Sequence, residues 1–146
     1  MDNWNELNGR EAGHTHWPTP ARVMVCVGYN PVSQRLIRRA ADLALALGAD
    51  LIAVHIQPEE SSVPGYQTML ERNLELARRL GAQVIIEHGA PIAGVLARVA
   101  QANGVTHIVM GESARSRWAE IQNGSLVRQL LRASCGIDVY IVADPA

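Results

Sequence analysis

Three times in this chain a helix-like stretch ends at a glycine and an apolar run begins within two residues: LGADLIAV from Leu47, LGAQVIIE from Leu80 and NGVTHIVM from Asn103. A glycine just past a helix takes the left-handed backbone conformation that closes the last turn. Each junction therefore reads as helix end, turn, strand start. Strands alternating with helices imply right-handed βαβ crossovers and a parallel sheet with helices on both faces.

The remaining elements fit between these junctions. RVMVCV, Arg22–Val27, is a short apolar run of the buried-strand type. A helix follows over Ser33–Leu47, with Leu36, Ala40, Leu43 and Leu47 on one stripe. DLIAVHIQ, Asp50–Gln57, is the second strand, and Glu59–Gly65 a loop. Tyr66–Leu80 is a second amphipathic helix, with Leu70, Leu74 and Ala77 in register. The third strand spans Ala82–Glu87, and a third helix opens near Pro91 and ends at Asn103-Gly104. Thr106–Met110, Ser125–Arg132 and Ile137–Val142 are then strand, helix and strand. Residues 1–21 are expected to form a flexible polar arm, and residues 22–146 one domain.

Composition narrows the function. A net charge of −1 argues against a surface built for nucleic acid or anionic membrane. No apolar run is long enough to span a bilayer, and no secretory signal is visible. Two cysteines, Cys26 and Cys135, make a poor disulfide framework, so a reducing cytoplasm is expected. Lysine is absent from the sequence, which excludes a P-loop, Schiff-base or kinase-type lysine.

In sheets of this kind ligands bind beyond the carboxyl ends of the strands, where the strand order reverses. That rim carries Val27, Gly28, Tyr29 and Asn30 after the first strand, Val54 and His55 on the second, and GESARSRWAEIQNGS, Gly111–Ser125, after the fourth. Gly111 would let the backbone turn without a Cβ. Gly124-Ser125 opens a helix whose first amides point outward unpaired, a ready anion site. Ser113 adds a hydroxyl, and Arg115 and Arg117 add forked donors suited to phosphate. Each residue also has a plainer role: the glycines as turns, the arginines as solvated surface charges, Tyr29 as a cap on the sheet, Trp118 as a packing residue and Cys26 as core. His14 and His16 form only a weak metal hint.

The segment follows a pattern of Gly, two residues, Gly, nine residues, then Gly with Ser or Thr: Gly111 and Gly124-Ser125 match it, and Ala114 departs from it at the second glycine. In this it resembles the nucleotide-binding members of the universal stress protein family, over roughly Arg22 to Val142. Within that family, CVGYNPVSQRLIRRAADLALALGA, GESARSRW and NGSLVRQLLRASCGIDVYIV are similar to the version embedded in potassium-sensing histidine kinases of the KdpD type. The resemblance implies a Rossmann-like or flavodoxin-like open sheet of five parallel strands in the order 3-2-1-4-5. It implies an adenine nucleotide as ligand, ATP (with magnesium as a candidate companion) or cyclic di-AMP. It also implies a homodimer through the last strand, at Val139, Tyr140, Ile141 and Val142, and a partner that is a histidine kinase or potassium transport system. Many ATP-binding members carry an Asp just after the first strand, where Gly28 stands here. The cyclic di-AMP contacts of some relatives correspond to Asn30, Val32 and His55.

Three readings remain open at this level: a nucleotide sensor reporting through a partner, a dimerisation or interaction module with a vestigial pocket, and a slow nucleotide hydrolase. The last is weakest, because Glu112 is the one acid in this segment placed to hold magnesium near a triphosphate.

Overall fold

The structure, a computed structural model, describes residues 20–57, 66–89, 91–112 and 136–143. Five strands are present: β1 (Arg22–Cys26), β2 (Asp50–Gln57), β3 (Gln83–His88), β4 (His107–Gly111) and β5 (Asp138–Val142). Three helices are described: α1 (Val32–Leu47), α2 (Tyr66–Arg79) and α3 (Ile92–Ala102). The strands form one sheet in the order β3-β2-β1-β4-β5, as the resemblance implies. All four neighbouring pairs are parallel.

The three glycine junctions share one geometry. Gly48, Gly81 and Gly104 have φ of 62°, 93° and 63°. The residue after each glycine reaches back five positions: Ala49 to the Ala44 carbonyl, Ala82 to that of Ala77 and Val105 to that of Ala100, at 2.8–2.9 Å. Each glycine amide in turn bonds the carbonyl three residues before it, in Leu45, Arg78 and Gln101. This is the Schellman arrangement, and it turns each helix end directly into a strand.

The sheet is covered on both faces. On one, α1 and α2 lay Leu36, Ile37, Ala40, Leu70, Leu74 and Ala77 against Val23, Val25, Ala53 and Val109. On the other, α3 lays Ala93, Leu96, Val99 and Ala100 against Met24, Ile52, Val54, Ile108 and Met110. β1 and β2 are therefore buried on both sides, which is why they read as continuous apolar runs rather than alternating ones. The crossovers through α1 and α2 lie on one face and the crossover through α3 on the other, so the chain changes sides between β1 and β4.

The expected arm over residues 1–21 and the helix over Ser125–Arg132 fall outside the described residues, save Pro20 and Ala21. Among the described residues no helix is long and apolar enough to cross a membrane.

Candidate functional site

At the carboxyl rim, β1 and β2 end together. The Val27 amide donates to the Val54 carbonyl at 2.8 Å, the last rung between them. The chain then passes through Gly28, Tyr29 and Asn30 into α1. The Gly28 amide donates to Ser33 Oγ at 2.9 Å, and Asn30 Oδ1 accepts from the Val32 amide at 3.0 Å. The second contact is an Asx turn, and it satisfies an amide that the first helical turn leaves without an intrahelical acceptor. Asn73, on α2 and 0% exposed, donates through Nδ2 to the carbonyls of Gly28 (2.9 Å) and Asn30 (3.0 Å). The loop is thereby held from within by Ser33 and from the neighbouring helix by Asn73. Tyr29 packs half-buried against the core beneath α1 and α2, in keeping with a residue that caps the sheet.

His55, near the end of β2, is 4% exposed and lies 2.8 Å through Nδ1 from the Val27 carbonyl. A carbonyl only accepts, so Nδ1 carries the proton and Nε2 is the acceptor of the neutral ring. Burial lowers the His55 pKa below its ordinary value; the bond to Val27 opposes this, and His88 at the end of β3 adds to it. The ring is thus kept neutral as a buried strut between two strand ends.

Gly111 stands on the same rim. It and Val27 each lie two residues beyond the paired Val25 and Val109. The expected turn role differs from what is found: Gly111 is the last residue of β4, paired with Val142 and outside the positive-φ glycines. A Cβ there would stand 3.2 Å from Leu36 Cδ1, a tight contact that Leu36 would have to give way to, so glycine eases the close approach of α1. Glu112 follows it, exposed. Ser113, Ala114, Arg115, Arg117, Trp118, Gly124 and Ser125 fall outside the described residues, as do His14 and His16. Among the described residues no three His, Cys, Asp or Glu side chains gather closely enough to hold a metal ion.

The structure thus brings together Val27, Gly28, Tyr29, Asn30, Val54, His55 and Gly111. Ser33 and Asn73 are contributors that sequence reading missed. Asn73 left a signal: Leu70, Asn73, Leu74 and Ala77 follow the i, i+3, i+4, i+7 pattern, so a polar residue sits on the buried stripe. A buried asparagine needs partners, and the loop supplies them.

A family model described as the universal stress protein family matches residues 20–143. The sensor protein KdpD of Mycobacterium tuberculosis (strain CDC 1551) is 34% identical over 130 residues, 89% of this chain and 15% of that protein. The putative sensor protein KdpD of Synechocystis sp. (strain PCC 6803) is 28% identical over 141 residues, 95% of this chain and 38% of that one. The chain therefore spans well under two thirds of either sensor protein's length. A universal stress protein crystallised in complex with cAMP superposes with a TM-score of 0.65 at 23% identity, covering 87% of this chain and all of that one. The universal stress protein from Archaeoglobus fulgidus in complex with dAMP gives 0.58 at 18%, covering 83% and 96%. At these identities the two structures establish the fold.

Proposed function

The chain belongs to the universal stress protein family, and from that premise we propose that it is a regulatory module that binds an adenine nucleotide and reports occupancy to a partner, without turning the nucleotide over. One observation carries the reading. The crossovers change faces between β1 and β4, and at that switch point the chain presents a loop already fixed by Ser33, Asn73 and His55. A wall fixed before the ligand arrives spares the ligand the cost of ordering it.

In this reading Val27, Gly28, Tyr29, Asn30, Val54 and His55 line the side of the base and sugar. Gly111, Ser113, Arg115, Arg117, Gly124 and Ser125 line the phosphate side. The cAMP and dAMP held by the structures of similar fold support an adenine ligand. ATP with magnesium and cyclic di-AMP are the other members of the ligand class. The likeness to KdpD sensor proteins supports a histidine kinase as partner, in potassium homeostasis, with the module in the cytoplasm. A homodimer through β5 completes the reading.

Calorimetric titration with AMP, cyclic AMP, ATP with and without magnesium, and cyclic di-AMP tests it. Binding by at least one of them is expected. Arg117→Ala should weaken that ligand by about 1.5–3 kcal/mol, the worth of a charge-assisted hydrogen bond. Unchanged affinity in Arg115→Ala, Arg117→Ala and Ser125→Ala alike rejects the phosphate side. Release of inorganic phosphate from ATP would favour the hydrolase reading instead.

A further inference from the structure

We infer that Asn73 is the positioning residue of the nucleotide site: it holds the β1–α1 loop in its binding shape from α2, without touching the ligand. The inference rests on the site proposed above and adds a residue to it. The geometry is specific. Asn73 is fully buried on a stripe otherwise made of Leu70, Leu74 and Ala77, where a leucine would pack. Its Nδ2 spends both hydrogens on one loop, at the carbonyls of Gly28 and Asn30, two residues apart and flanking Tyr29. The amide orientation is fixed by these contacts, because the flipped form would set Oδ1 against two carbonyl oxygens.

Among the described residues Asn73 Oδ1 is left buried without a hydrogen-bond partner. An unpaired buried acceptor is unfavourable, so this asparagine is a poor choice for packing alone. What it supplies that an apolar residue cannot is a fixed shape for three loop residues. The same two bonds tie the loop to α2, whose outer side carries Glu71, Arg72, Glu75 and Arg79 on an open groove shared with Gln34 and Arg38 of α1. A ligand that tightens the loop therefore tightens α2, and by reciprocity a partner that grips α2 tightens the loop.

The test compares Asn73→Leu with Leu96→Ala, a core change on the opposite face of the sheet. Amide hydrogen exchange is read on the ligand-free proteins, and AMP affinity by calorimetry. Asn73→Leu should speed exchange of residues 28–34 by about tenfold or more while leaving α3 as in the wild type, and should raise the AMP Kd by a similar factor. Leu96→Ala should lower the melting temperature yet leave loop exchange and AMP affinity near wild type. Loop exchange in Asn73→Leu equal to that of the wild type overturns the inference, as does an unchanged Kd where the wild type binds AMP. Where the wild type binds cyclic AMP, ATP or cyclic di-AMP instead of AMP, that nucleotide is the probe; a wild type that binds none of the four counts against the site, and loop exchange alone then decides on Asn73. Should Asn73→Leu not fold, Asn73→Asp keeps the shape and removes the two N–H donors, with the same readouts. Failure of both to fold shows a purely structural residue and overturns the inference.

Discussion

His55 Nδ1 donates to the carbonyl oxygen of Val27 across 2.8 Å, joining β2 to the chain leaving β1 just where their backbone ladder stops. The bond requires a proton on Nδ1, and burial keeps the ring neutral by lowering its pKa below the ordinary 6.5. In the unfolded chain the same ring protonates near 6.5. Above that value both states are neutral and the full stability is present. As pH falls below it, the unfolded chain takes up a proton first and stability declines until the folded pKa is reached. His107, 1% exposed between Thr106 and Asp138, acts in the same direction: burial lowers its pKa and Asp138 partly opposes. Urea unfolding should therefore give a free energy that rises from pH 5 to pH 7. His55→Gln should flatten that rise, and a profile with the same slope in wild type and variant would contradict the neutral buried strut.

The closeness of Gly111 to Leu36 makes a second expectation. A Cβ at Gly111 would stand 3.2 Å from Leu36 Cδ1, and Leu36 is itself buried. Gly111→Val should cost about 1–3 kcal/mol by overpacking. Adding Leu36→Ala should return part of that loss, because the two side chains compete for one space. Denaturant unfolding of the two single variants and the double variant measures the coupling; strict additivity would place the strain elsewhere.

Much of this was legible beforehand, and the reasons are local. The three Schellman turns are encoded by glycines at fixed distances from apolar stripes, so helix ends were readable to within a residue. Strand starts were readable to within a residue as well, and where they slip the cause is the turn before them. Ala82 looked like strand, but its amide is used to close α2 on Ala77, and β3 begins at Gln83. That Val27–Asn30, Val54 and His55 share the carboxyl rim was legible because strand ends locate that rim. Its support was not, because Asn73 acts on a loop 43 and 45 residues away in sequence. Ser33 and Gly111 were likewise hidden, since a hydroxyl bonded to Gly28 and a close approach to Leu36 exist only after α1 has docked.

Cys26 gives a chemical prediction. It ends β1 and packs against the α3-side core, and burial pushes its thiol up to about 12 from 9.0. The thiolate is the reactive form, so at pH 8 it should be scarcer by roughly three orders of magnitude than in an ordinary cysteine. Iodoacetamide treatment followed by peptide mass mapping should leave the Cys26 peptide unmodified in the folded protein and label it fully in urea. Cys26 is half-buried, so rapid labelling of the folded form would contradict the raised thiol pKa.

The last expectation concerns the edge at β5. In the order β3-β2-β1-β4-β5 this strand pairs with β4 on one side, and among the described residues its other side meets no further strand. Tyr140 and Ile141 are 42% and 40% exposed, large apolar side chains beside that edge. Asp138 is the one charge on the strand and sits at its first residue, so no charge interrupts DVYIV farther along. An edge of this kind invites pairing, and a two-fold axis allows Val139, Tyr140, Ile141 and Val142 to pair with the same residues of a second copy. The opposite edge differs, because β3 carries Glu87 and His88 at its carboxyl end. The Asp138 amide donates to the Thr106 carbonyl beside β4, so by alternation along the strand the N–H groups of Val139 and Ile141 face the open edge. Light scattering should therefore find a homodimer, and Ile141→Pro should dissociate it while the far-ultraviolet circular dichroism stays largely native. Proline removes an N–H from the ladder and is tolerated on an edge, so loss of the dimer without loss of the fold is the expected result. A wild-type chain that runs as a monomer at high micromolar concentration would remove β5 as an interface.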